Sequence, residues 1–180
     1  EFNRLLGKAM AENRDDFILA LYLGRYAGFR IHECFRMDTA AAEQALRENA
    51  LTVKGKGGKV RIVPIEDERI LMMLKRVLAQ TERGHKLLVP DGMPTDRSIN
   101  ALELFIYRHR NEISDEGSDR RLTFHGLRHT YAAEKYTRLT EGGMSAIDAH
   151  YAVSRLLGHE RADVTNIYLA SVRKRGRDGE

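Results

Sequence analysis

Residues 50–65 read ALTVKGKGGKVRIVPI, the clearest β signal in the chain. Leu51 to Lys54 and Val60 to Ile65 are short β-branched runs on either side of a glycine-rich turn, the pattern of a hairpin. On both sides of this stretch the apolar residues return to helical spacing. The expected fold class is therefore mainly α with a small antiparallel β-sheet, an α+β arrangement.

The flanking periodicity places the helices. Phe17, Ile18, Leu21, Tyr22 and Ala27 share one helical stripe, and Gly28 marks its end, leaving Arg30 just beyond. RIHECFRM predicts a short helix, and Thr39 is the expected cap of the alanine-rich helix that follows. DERILMMLKRVLAQTE is helical, Pro90 to Pro94 form a turn, residues 96–113 are helical again, and 114–120 form a loop. TFHGLRHTYAAEKYTRL is a helix closed by Gly142 and Gly143; Ser145 caps AIDAHYAVSRLL, and Gly158 stops it. A last short helix is expected over DVTNIYLAS, before the charged tail VRKRGRDGE, expected to be mobile.

A chain of 180 residues with 42% apolar residues suits one domain with its own core. Thirty basic residues against 26 acidic ones give a net charge of +4, which is compatible with a polyanionic partner but does not demand one. Cys34 is the only cysteine, so an internal disulfide is excluded and packing is its expected role. No apolar run approaches the roughly 20 residues of a membrane span, and the N-terminus has no secretory pattern, so a cytoplasmic location is expected. The chain begins EFNRLL without methionine, and residues upstream are expected to have been removed.

Five pieces of the chain could share one chemistry: Arg30 at a helix boundary, the hairpin lysines, His125 with Arg128, His159, and Tyr168. His125 and Arg128 are three apart at a helix start, where they share a face and where an anion is favoured. The motifs AGFRIHE, VKGKGGKVRIVP, TFHGLRHTYA and LLGHERADVTNIYL, in this order, resemble the catalytic domain of the tyrosine recombinases, or phage-type integrases, over roughly residues 15–170. The resemblance implies the fold of that catalytic domain and a site-specific recombinase. Such an enzyme cleaves and rejoins double-stranded DNA through a 3′-phosphotyrosine link, for integration or excision of a mobile element, without metal, ATP or other cofactor. It also implies a homo-oligomer on DNA, a tetramer in the full-length protein. The helical domain that precedes this one in most members is expected to be absent from the chain, leaving 1–180 as a single catalytic domain.

Carried over by residue, the resemblance implies that Arg30 and Arg128 grip the scissile phosphate and Tyr168 attacks it. A guanidinium fork can hydrogen-bond two non-bridging oxygens and stays charged, which a lysine cannot match in geometry. The resemblance further implies that His125 helps remove the phenolic proton and that His159 donates to the phosphate. Lys56 would protonate the leaving 5′ oxygen, with Lys59 and Lys54 as alternative lysines. Glu33, three after Arg30, either orients that arginine or forms an ordinary exposed helix pair.

Other readings stay open. His125 and His129 have zinc-protease spacing, but Gly126 stands where the glutamate belongs, so no metal site is expected. His32, His85, His109 and His150 have no motif and are expected to be structural. A DNA-binding regulator that kept the fold and lost cleavage is the main alternative; a type IB topoisomerase or telomere resolvase would share the chemistry. The two motif histidines are also further apart than in compact members, a difference that an extra helical turn or two absorbs.

Overall fold

The computed structural model describes residues 1–55, 58, 60–118 and 121–158. Its elements are α1 (Phe2–Ala11), α2 (Asp15–Tyr26), α3 (Ile31–Cys34), α4 (Thr39–Glu48), β1 (Ala50–Lys54), β2 (Val60–Pro64), α5 (Glu68–Leu78), α6 (Thr95–Ile113), α7 (Phe124–Glu141) and α8 (Ala146–Leu157). The mainly helical architecture with one small sheet matches the expectation. The last expected helix and the charged tail lie outside the described residues.

α2 is the centre of the core. Every residue from Phe17 to Gly24 is buried, so the helix is apolar all round and needs neighbours on every side. α1, α5 and α7 supply them. α1 lies upstream of the first stripe expected from the periodicity; it buries Leu5, Leu6 and Ala9, a short stripe that docks on α2.

β1 and β2 pair antiparallel, with Leu51 opposite Val63 and Val53 opposite Arg61. A two-stranded ribbon cannot stand alone. β1 lies beside α4 and β2 beside α8, and Leu51, Val53 and Val63 are buried on the inner face. The outer face leaves Val60 and Ile62 each 62% exposed.

Caps explain where helices begin. Ser145 accepts from the amide of Asp148, as expected, and Thr123 accepts from that of Gly126. The expected cap at Thr39 is corrected: Asp38 caps α4, accepting from the Ala41 amide at 2.8 Å. Asp38 has extended backbone, so its carboxylate can turn back on the first turn. Thr39 is already helical, and its hydroxyl instead accepts from the Gly84 amide at 2.8 Å.

Candidate active site

The site begins where α2 ends. Gly28 has φ +65, and a Cβ there would lie 2.5 Å from the Tyr131 ring, so both the backbone and the space require glycine. This reversal buries Phe29 and delivers Arg30 to the N-cap of α3 with extended backbone. The Arg30 amide donates to Glu33 Oε2 at 2.8 Å, and its Nη1 donates to Glu33 Oε1 at 3.0 Å. The Glu33 side chain is 1% exposed while that of Arg30 is 31% exposed. Of the two roles open to Glu33, an exposed helix pair is ruled out by that burial.

A second arginine arrives from the sheet. Arg61 donates from Nη1 to Glu33 Oε1 at 2.9 Å and from Nη2 to Oε2 at 2.7 Å, a bidentate clamp. Burial alone would raise the Glu33 pKa; the hydrogen bonds and charge of Arg61, joined by Arg30, outweigh it and hold the carboxyl at about 2. Arg61 was not among the expected site residues. The signal was present, since Arg61 falls on the same phase of its strand as the buried Val63.

A third arginine comes from α7, just past its first turn. Arg128 is fully buried; Nη1 donates to the Gly28 carbonyl, and Nη2 donates to that of Leu157 at 2.6 Å. It also lies 4.0 Å from Glu33 Oε2. Arg128 therefore ties the turn before Arg30 to the end of α8, directly ahead of His159 in the chain.

His125 sits one turn earlier on α7 and is exposed as a residue, yet its ring is partly desolvated by the surrounding protein. That desolvation, with the charges of Arg128 and Arg30, lowers its pKa and so favours the neutral imidazole. The His129 ring meets it edge-on at 4.7 Å, and its pKa is lowered too, by burial and by His125.

Beside Arg30 and His125 opens a cavity of about 330 Å³. Its walls carry His32, Tyr107 and Arg110 over an apolar floor that includes Ile106 and Phe124. His32, expected to be structural, is thus part of this wall. Cys34 is fully buried and packed, as expected. Among the described residues, donor atoms of the exposed Glu82, His85 and Asp91 lie within 4.8 Å of one another, a grouping that includes no residue of the candidate site.

The structure thus brings Arg30, Glu33 and Arg128 together, with His125 close by. Lys56, Lys59, His159 and Tyr168 lie outside the described residues. Lys54, the other alternative lysine, is exposed at the end of β1. Among the described residues no helix is long and apolar enough to cross a membrane.

A helical domain with one hairpin and an arginine-rich site built on a buried carboxylate defines the class to which comparison with known proteins points. The profile of the Phage integrase family matches residues 2–175, and the chain belongs to that family. The match extends upstream of the expected start near residue 15 and takes in α1. Tyrosine recombinase XerD of Pseudomonas putida is 27% identical over 170 residues, covering 91% of this chain and 51% of that protein. Tyrosine recombinase XerC of Thermodesulfovibrio yellowstonii is 31% identical over 170 residues, covering 86% of this chain and 49% of that protein. The chain spans about half the length of the curated relatives it matches. The crystal structure of XerA recombinase superposes with a TM-score of 0.66 at 21% identity, over 98% of this chain and 62% of that one. XerH site-specific recombinase, bound to palindromic difH substrate in a post-cleavage complex, gives 0.57 at 19% identity, over 93% and 47%. These structural likenesses show the shared fold.

Proposed function

We propose that this domain cleaves and rejoins DNA strands as the catalytic part of a site-specific recombinase acting on the ends of a mobile element. One observation carries the reading: Arg30 and Arg128, about a hundred residues apart in sequence, converge on one buried carboxylate beside an imidazole whose neutral form is favoured and an open cavity. The family match and the DNA-bound state of the XerH relative support DNA as the substrate.

In the proposed step, the Tyr168 oxygen attacks phosphorus as its proton passes to His125. The bond from phosphorus to the 5′ oxygen breaks, and Lys56, or Lys59 or Lys54 in its place, gives that oxygen a proton. Arg30 and Arg128 meet the charge that gathers on the non-bridging oxygens, and His159 donates to one of them. The product is a 3′-phosphotyrosine with a free 5′ hydroxyl. Attack by a 5′ hydroxyl reverses the step and conserves the bond energy, so the cycle is proposed to need neither metal nor ATP. Assembly on DNA as a homo-oligomer, a tetramer in the full-length protein, belongs to the same proposal.

The engagement of Arg128 by two main-chain carbonyls favours a second reading, a DNA-binding regulator that does not cleave. Trapping separates the two. A nicked duplex carrying the element's end is incubated with the full-length protein in EDTA, and covalent protein–DNA adduct is measured on a denaturing gel. Adduct with the native protein and none with Tyr168→Phe is the expected result. Salt-sensitive binding with no adduct from the native protein would overturn the cleavage reading.

A further inference from the structure

Three arginines share the Glu33 carboxylate, and they differ in what is left of them. Arg128 is 0% exposed and engaged by two carbonyls. The Arg61 side chain is 9% exposed, and both of its Nη atoms are committed to Glu33. Arg30 gives Glu33 only Nη1 and its amide, and keeps a side chain that is 31% exposed. An ionised carboxylate has about four acceptor positions. Those of Glu33 are filled by the Arg61 fork together with the amide and Nη1 of Arg30.

Arg61 is itself firmly placed. It sits in β2, with Val53 opposite it in the register. Its guanidinium carbon lies 5.7 Å from the centre of the Phe29 ring. It also lies against Gly158, where an added Cβ would come 3.0 Å from Arg61 Cδ. Phe29 precedes Arg30 and Gly158 precedes His159, so one side chain touches the sheet and the backbone neighbours of two expected site residues.

We propose that Arg61 is a positioning residue for Arg30: by occupying the Glu33 carboxylate from β2, it leaves the Arg30 guanidinium turned outward for a substrate phosphate instead of drawn inward as a counter-ion. The proposal rests on the reading of Arg30 as a phosphate ligand. Without Arg61, a buried carboxylate would lose its strongest partner, and leaving such a charge uncompensated is strongly unfavourable. Arg30 is the neighbour with donors to spare. Its fork would close on Glu33 in the bidentate geometry that Arg61 now holds, and the donors meant for the phosphate would be consumed. An Arg61 that served only to stabilise the fold would have no such effect on Arg30.

The test compares the native protein with Arg61→Met, Glu33→Gln and the double variant. In DNA-free protein, modification of Arg30 by phenylglyoxal is followed by peptide mass spectrometry; in parallel, adduct is measured on the trapped duplex. Arg61→Met is expected to slow Arg30 modification several-fold and to lower adduct formation by about 10- to 100-fold. Adding Glu33→Gln to Arg61→Met removes the charge that captures Arg30 and is expected to raise both readouts, although Glu33→Gln alone lowers adduct in the native background. Unchanged or faster modification in Arg61→Met, or a Gln substitution that only deepens the loss, would overturn the proposal. Should Arg61→Met fail the circular-dichroism melt, Arg61→Lys keeps the charge without the fork and is expected to give a smaller shift in the same direction; no slowing there overturns it as well. A native protein that forms no adduct refutes the cleavage reading instead, while the modification rates still decide the role of Arg61.

Discussion

A carboxylate that is almost wholly buried yet held at a pKa of about 2 records how strongly its arginines outweigh its desolvation. The shift makes Glu33 a stability group with a defined pH window. Its folded pKa lies below the ordinary value near 4.5, so its contribution is complete above that value. As pH falls from about 4.5 toward 2, the unfolded chain takes up a proton that the folded chain refuses, and the contribution drains away. The difference in urea midpoint between the native protein and Glu33→Gln should therefore be constant above about pH 5 and shrink steadily below it. A difference that stayed constant to pH 2.5 would mean that the clamp does not hold the carboxylate ionised. Burial and nearby cations also lower the pKa of His125 and His129, which favours the neutral form of each ring.

At the scale of elements, the first turn of α7 bears the most weight, because His125 stands on it and Arg128 follows directly after it. Thr123 fixes where that turn starts by accepting from the Gly126 amide at 3.0 Å. Thr123→Ala should destabilise the domain by about 1 kcal/mol in urea denaturation. It should also broaden the His125 ring signals in NMR, since the turn would fray from its capped end; an unchanged stability would place the start of the helix under tertiary control alone. The helices that could be read from the sequence are those with a long stripe and a capping residue, such as α7 with its closing Gly142 and α8 between Ser145 and Gly158. α1 was missed because its stripe of Leu5, Leu6 and Ala9 is too short to stand out before it docks on α2. Thr39 was misread as a cap because Asp38, one residue earlier, satisfies the same chemistry with better reach. Arg61 escaped because VRIVP reads as an apolar strand, whereas the register turns Val60 and Ile62 outward and the arginine inward. Motif order pointed to Arg30, Glu33, His125 and Arg128, but nothing in the letters could show that three arginines share one carboxylate.

For the whole molecule, net charge says less than its placement. The excess of +4 is small, and many basic side chains are already paired, among them Arg25 with Glu134, Arg76 with Asp15, and Lys135 and Arg138 with Glu66. The Glu33 cluster differs, since three arginines meet a single carboxylate and the formal charges of that group sum to +2. Duplex binding by the domain should therefore depend on a local field more than on overall charge, and salt should expose this. If about four phosphates are neutralised, affinity should fall on the order of a hundredfold between 50 and 200 mM salt. Arg30 is the cluster arginine with the most exposed side chain, so it should account for one of those contacts. Arg30→Ala should weaken binding at low salt and make the plot of log affinity against log salt shallower by about one unit, as read by fluorescence anisotropy on a labelled duplex. Glu134→Gln, which frees Arg25 from its bidentate partner on α7, should leave that slope unchanged. Equal slopes for the native protein and Arg30→Ala would show that the cluster does not face the DNA.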